Sequence, residues 1–462
     1  MTFYDRKTEL ATLVEEHDSP GHSFIVLYGR RRVGKTALLK EFCADRPHVY
    51  YLAAQESESR QLEKFVEQVA TRYDDRLPQI TDWPDAFDYV GENLAQEDLT
   101  LVIDEFPYLV DSNDSLPSYV QGFVDEVLSE TNSTLILCGS SISVMESAVL
   151  SHESPLFGRR TSQLDLDPFS FRAARNVIEY SFEDAVRSYA ITGGTPLYVT
   201  LFDYTTDLSS NVYNHVLSQR SILYNEPEFL LRSEVRNPGR YMSILEAIAT
   251  GHSTPNEIAG ATGIDVGPLS RYLQTLRRLR FIKRRIPVTE SAKKSKRSIY
   301  EIDDEFLRFW FRYIEPNRSG IEEVPQVVYE KTIQPDLPRH VSVTFERICR
   351  EAVWETVRRG ELEPYSQVGS WWYGEDEIDI VALAPGSDQI LLGECKWTNS
   401  PVGETLADEL RTKAESVRWH TGGRTETYAL FSKAGFTPGL RESLDDQWEL
   451  FDCNRLADLL SP

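Results

Sequence analysis

The sequence predicts a multidomain α/β protein: a parallel sheet around a glycine-rich loop, then helices, then a second α/β domain. Three observations predict it. Apolar runs of strand length alternate with helical segments through residues 1–167. A complete glycine-rich motif joins the first of those strands to the helix after it. A second group of strands, with charged residues among apolar neighbours, lies within residues 339–462. A chain of 462 residues exceeds one ordinary core, so roughly two to four domains are expected.

Composition bounds the class. Hydrophobic residues make up 41% and charged residues 26%, which suits a soluble globular protein. No apolar run reaches the roughly 18 to 20 residues needed to span a bilayer. Residues 1–10 carry charges and no apolar core, so no secretory signal is read there. The five cysteines are scattered singly, without zinc-site or disulfide spacing, so a reduced cytoplasmic setting is expected. The net charge of −24 disfavours nucleic acid in dilute salt. Acid spread over a whole chain also suits a halophilic, salt-rich cytoplasm, where screening within about 3 Å at 1 M salt leaves a local basic patch effective.

Taken in order, residues 4–15 alternate charge with Leu10, Leu13 and Val14, a short amphipathic helix. Phe24 to Tyr28 is a buried strand. Gly29-Arg30-Arg31-Arg32-Val33-Gly34-Lys35-Thr36 follows, a full match to G-x-x-x-x-G-K-S/T, and Ala37 opens a helix. The glycines let backbone N–H groups turn inward on phosphate oxygens, and the helix N-terminus faces the same anion. Gly29 to Ala37 is thus the candidate nucleotide site. Lys35 would reach the β- and γ-phosphates and Thr36 would bind Mg²⁺. Residues 48–54 read as a second strand and 61–72 as a helix with Leu62, Phe65, Val66 and Val69 on one face.

Leu99 to Phe106 is a strand ending in Asp104 and Glu105. Ligands in open parallel sheets sit at strand carboxyl ends, so these acids should meet the loop. Asp104 would hold Mg²⁺ and Glu105 would deprotonate the attacking water. Ser133 to Ser140 repeats the pattern, and Ser140 or Ser141 reads either as a γ-phosphate or water contact or as turn chemistry. Arg159 and Arg160 precede a strand over 161–166. One of them could stabilise transition-state charge, in cis or from a neighbour in a homo-oligomer; a structural salt bridge is the alternative.

These stretches, with Phe157-Gly-Arg-Arg160 and Thr192-Gly-Gly-Thr-Pro196, resemble the archaeal ATPase family of AAA+-like and STAND-like P-loop NTPases. Order and spacing match over roughly residues 1–235. The resemblance implies a P-loop NTPase core of about five parallel strands over 1–167 and a helical lid over 168–235. It also implies a lid turn at Gly193-Gly-Thr-Pro196 that approaches the nucleotide; the residues alone read as a turn between helices.

Residues 236–317 read as a winged helix and an aromatic connector. Ile244, Leu245 and Ile248 mark one helix, Pro255 starts the next, and Gly263 ends it. The third carries Leu269, Tyr272, Leu273 and Leu276 inward, which leaves Ser270, Arg271, Gln274 and Arg277 outward at recognition-helix positions. Arg271 to Arg297 holds eleven Lys and Arg against one acid, Glu290. Arg271, Gln274 and Arg277 are candidate contacts to duplex DNA; a lid or protein-docking module is the alternative. Residues 318–338, with several Gly and Pro, read as a linker.

In residues 339–462, Glu346 falls in a helix, Asp379 in a strand, and Glu394 and Lys396 two apart on another strand. Charges on strands need a metal or each other. An acid on one strand with E-x-K on the next is the arrangement of the PD-(D/E)xK, restriction-endonuclease-like fold. Asp379, Glu394 and Glu346 would bind Mg²⁺, and Lys396 would act on the attacking water. The stretch from Glu377 to Trp397 also resembles the domain of unknown function that commonly follows this ATPase. An inactive cluster of the same residues is the alternative. Three functions stay open: an ATP-driven DNA-processing enzyme, a nucleotide switch that docks protein partners, or a DNA-binding regulator that responds to nucleotide.

Overall fold

The computed structural model describes residues 3–94 and 97–462, which form two compact units, Met1–Pro168 with Ser233–Val235, and Phe169–Arg232 with Arg236–Pro462. The first unit is organised on a five-stranded sheet. Its strands are β1 (Ser23–Tyr28), β2 (His48–Leu52), β3 (Thr100–Asp104), β4 (Thr134–Gly139) and β5 (Ser162–Asp165), in the order β2-β3-β4-β1-β5. Every pairing is parallel. That demands helices on both faces, and so strands that are apolar throughout. β1, β3 and β4 are buried along their whole length.

The period-2 alternation divides each strand between two cores. Phe24, Val26, Leu101, Ile103, Leu135 and Leu137 pack into one. Ile25, Leu27, Val102, Ile136 and Cys138 pack into the other, with the helix Lys35–Cys43. The register sets Leu27 against Cys138 and Ile103 against Leu137, so the three central strands end at one level. The first helix spans Lys7–Asp18, slightly later than its charge pattern suggests. The buried guanidinium of Arg6, just before it, donates to the carbonyls of Val33 at 3.0 Å and Asp167 at 2.5 Å.

The second unit begins with short helices, among them Phe182–Thr192 and Pro196–Leu201, between which Gly193 to Thr195 forms the turn. Three helices follow, Pro238–Ala249, Pro255–Thr262 and Val266–Arg278, then an antiparallel hairpin of β6 (Ile282–Arg285) and β7 (Ile299–Ile302). The middle helix opens with a reciprocal capping box, Thr254 with Glu257, and closes on Gly263 in the left-handed conformation. Leu269, Leu273 and Leu276 are buried.

Residues 318–338, read from the sequence as a linker, are helical. Helices cover Arg318–Glu323, Pro325–Val328 and Tyr329–Ile333, and the helix Gln334–Arg358 starts at once. Pro325 and Pro335 occupy first-turn positions, where the missing N–H has no intrahelical partner to lose, while Pro338 lies inside the helix Gln334–Arg358. The chain ends in a mixed sheet of β8 (Gln367–Tyr373), β9 (Asp376–Ala384), β10 (Gln389–Lys396), β11 (Thr425–Ser432) and β12 (Trp448–Asp452), in the order β12-β11-β10-β9-β8. β8, β9 and β10 pair antiparallel, while β10, β11 and β12 run parallel. No helix among the described residues is long and apolar enough to cross a membrane.

Candidate functional site

In the first unit, the Gly29–Thr36 loop leaves β1 with φ of +152° at Gly29, +70° at Arg32 and +96° at Gly34. A side chain at Gly29 would collide with the carbonyl oxygen of Leu166, which continues the line of β5. The tight turn therefore needs glycine there. Lys35 is the first residue of its helix and is 5% exposed. Its Nζ donates to the carbonyls of Gly29 at 2.8 Å and Arg30 at 2.9 Å, inside the curl of the loop. Burial lowers its pKa, against the pull of Glu105 and Asp104. Arg31 is exposed and donates to the Tyr108 hydroxyl at 3.0 Å.

Asp104 is wholly buried at the end of β3. Its Oδ2 accepts from Thr36 Oγ1 at 2.9 Å and from the Tyr50 hydroxyl at 2.6 Å. Its Oδ1 accepts from the backbone N–H of Glu105 at 2.9 Å. Glu105 has φ +56°, an uncommon conformation for a residue with a side chain, and one that clusters at functional sites. Its Oε2 accepts from Ser140 Oγ at 2.7 Å and from the Ser140 N–H at 3.3 Å. Ser140 therefore holds the candidate base. The hydroxyls of Ser141 and Ser143 donate instead to Glu234 Oε2, at 3.3 and 3.2 Å. Burial raises the pKa of Glu234.

Three sequence-read residues of the nucleotide site (Lys35, Thr36 and Asp104) meet at one edge of the sheet with Glu105 and Ser140. Arg159 is otherwise engaged. Its guanidinium forks onto Asp125 at 2.7 and 2.8 Å and donates to the Pro155 carbonyl at 2.7 Å. The contact is a salt bridge, and it lowers the Asp125 pKa. Arg160 is half-buried, its guanidinium 5.9 Å from the Phe157 ring centre. Tyr50 and Glu234 were not singled out from the sequence. Both look like ordinary positions of a strand and a helix, and only the fold brings them to Asp104 and to the serines. The donors suit a magnesium nucleotide: a buried ammonium for phosphate, with hydroxyl and carboxylate oxygens for a hard cation.

In the second unit, Gly393 pairs with Ile380, which puts Glu394 opposite Asp379 on one face of the sheet. Asp379 Oδ2 accepts from the Cys395 N–H at 2.8 Å. Arg350, on the helix Gln334–Arg358 that also carries Glu346, donates to the Asp379 carbonyl at 2.9 Å. Burial, and then the neighbouring acid, pushes Asp379 up to about 6 and Glu346 up to about 8. Glu394 is 2% exposed and accepts from Lys396 Nζ at 3.1 Å and Lys413 Nζ at 2.7 Å.

The expected Mg²⁺ shell of Asp379, Glu394 and Glu346 does not form. Among the described residues no three carboxylates, histidines or cysteines stand together as a metal would need. The reason is local: a buried carboxylate needs countercharge, and two lysines already supply it to both oxygens of Glu394. Lys396 is thereby turned to its own strand neighbour.

Arg271, Gln274 and Arg277 are exposed on the helix Val266–Arg278. The basic block around them is partly spent within the unit. Lys283 pairs with Glu301 and Asp303, both at 3.1 Å. Arg285 pairs with Glu301 at 3.0 Å and Glu377 at 3.8 Å, and Arg297 pairs with Glu290. The Val288 N–H donates to the Ser370 carbonyl of β8 at 2.9 Å, so the β6–β7 connection is seated on the C-terminal sheet.

Residues 3–202 match an ATPase domain family predominantly from Archaea, and residues 310–412 match a family of archaeal and bacterial proteins of unknown function. An uncharacterised protein of Methanocaldococcus jannaschii is 35% identical over 402 residues, 86% of this chain and 87% of its own length. An uncharacterised ATP-binding protein of the same organism is 46% identical over 44 residues, 10% of this chain and 75% of its own. A Walker-type ATPase of Pyrococcus abyssi superposes with a TM-score of 0.50 at 19% identity, over 67% of this chain and 96% of its own. That likeness is one of fold.

Proposed function

The chain belongs to the ATPase family predominantly from Archaea, and on that premise we propose that its first unit binds Mg²⁺ and ATP at Gly29–Thr36 and hydrolyses the nucleotide with Glu105 as base. The observation that carries this reading is the meeting of Lys35, Thr36, Asp104 and Glu105 at one sheet edge. Lys35 would bind the β- and γ-phosphates, and Arg30 to Ala37 would line the loop around them. Thr36 and Asp104 would hold Mg²⁺, which would neutralise charge on the phosphate oxygens. Glu105 would take the proton of the attacking water, with Ser140 fixing which way its carboxylate faces. The test is nucleotide binding and phosphate release by the wild type and by Lys35→Ala, which should bind at least tenfold more weakly, on the order of a lost charge-assisted contact.

The three helices and hairpin of the second unit support a winged-helix reading, with Arg271, Gln274 and Arg277 as contacts to duplex DNA. A second reading has its own observation. The hairpin connection is seated on β8 and several of its cations are neutralised, which favours a nucleotide-switched module that docks a protein. The paired lysines on Glu394 likewise favour a C-terminal domain that does not cleave. Incubation with plasmid, Mg²⁺ and ATP in high salt separates these readings: cleavage lost in Asp379→Ala would restore the nuclease, and duplex binding without cleavage would favour the DNA-binding module.

A further inference from the structure

Tyr50 lies on β2, next to β3, with its backbone paired to Val102, while Leu52 is paired to Asp104. Two residues along a strand span about 6.6 Å, which the length of a tyrosine side chain can cover. Tyr50 packs with Val102 and the helix Lys35–Cys43, on the face of the sheet where Thr36 stands. Its hydroxyl ends 2.6 Å from Asp104 Oδ2, the oxygen that also accepts from Thr36.

We propose that Tyr50 is a positioning residue for the candidate magnesium site, acting through Asp104; this rests on the ATPase reading given above. An ionised carboxylate offers about four lone-pair directions. The Thr36 hydroxyl, the Tyr50 hydroxyl and the Glu105 N–H take three of them. The Cys138 thiol lies against the same carboxylate, and together these contacts hold it in one rotamer. Without the phenol, Asp104 would lose the shortest of these hydrogen bonds and could turn. Groups that hold a metal ligand in place typically change metal affinity by about 10–100-fold when removed.

The experiment uses the full chain and a fluorescent ATP analogue, titrated first in EDTA and then with Mg²⁺. For Tyr50→Phe, affinity in EDTA should stay within about twofold of wild type, while half-saturating Mg²⁺ should rise by on the order of tenfold. In an Asp104→Asn background the same substitution should change the Mg²⁺ dependence little, because the group it acts through is gone. An unchanged Mg²⁺ midpoint in Tyr50→Phe overturns the proposal and leaves the ATPase reading standing. So does a shift of full size in the Asp104→Asn background, which would place the action of the phenol elsewhere. A wild type whose nucleotide affinity ignores Mg²⁺ overturns both.

Discussion

Glu105→Gln separates chemistry from binding at the nucleotide site. Glutamine has the shape of glutamate and keeps one carbonyl oxygen, so it can still accept from Ser140 Oγ and N–H, which now converge on Oε2 at 2.7 and 3.3 Å. The φ of +56° burdens both residues alike, so the backbone has no new reason to move. What disappears is the capacity to take a proton. A positioned general base contributes roughly 10²- to 10⁴-fold, or about 3 to 5 kcal/mol of barrier at about 1.36 kcal/mol per tenfold. Replacing a charge-assisted hydrogen bond by a neutral one costs about 1 kcal/mol of local stability, too little to unfold the unit. Single-turnover phosphate release at saturating ATP and Mg²⁺ should therefore fall at least about a hundredfold, with nucleotide affinity unchanged. Release within a few-fold of wild type would refute the assignment of Glu105 as base. Loss of ATP binding would refute the argument from shape.

Replacing Arg271 and Arg277 together by Glu should weaken binding to duplex DNA in filter or anisotropy assays and flatten its salt dependence, while ATP hydrolysis without DNA is unchanged. Lys413→Met leaves Glu394 Oε1 without its donor while Lys396 remains, so the second unit should lose about 2 kcal/mol in denaturant unfolding. Asp379 near 6 and Glu346 near 8 both lie above the ordinary carboxylate range of about 4. The folded chain then binds protons that the unfolded chain releases. Their stabilisation is complete below pH about 4 and is lost as pH rises through about 6 and about 8. Asp379→Asn with Glu346→Gln should flatten that slope in unfolding measured from pH 5 to 9.

The parallel sheet was legible because burial on both faces leaves a one-dimensional trace. SFIVLY and TLILCG are apolar at every position, and the two cores divide them by alternation alone. The third helix after residue 238 was legible for the same reason at a different period: Leu269, Leu273 and Leu276 face inward and Arg271, Gln274 and Arg277 outward. Residues 318–338 carry the Gly and Pro of a linker, yet they are helical. Pro325 begins a helix, and Gly320 lies within one. Pro338 lies inside the helix Gln334–Arg358, which continues past it without that backbone N–H.

The sites divide along the same physical line. Lys35 and Thr36 are adjacent in sequence, and Asp104 ends a strand whose register levels it with them, so local pattern and one topological rule sufficed. Contacts that join distant positions leave no pattern to read. Tyr50 reaches Asp104 across 54 positions and Lys413 reaches Glu394 across 19, through a pleat and a helix face that the sequence specifies only as buried or exposed. Glu394 is the case in point. E-x-K places a carboxylate and an ammonium on one face of β10, a geometry that serves a metal when other acids close the shell and a salt bridge when another lysine does. The helix Glu404–Ser416 supplies the lysine, with Lys413 at 2.7 Å. A divalent ion arriving at Glu394 must therefore displace two ammonium groups from a carboxylate that is 2% exposed. The motif marks where the charges sit, and Lys413 is what turns them into a closed ion pair.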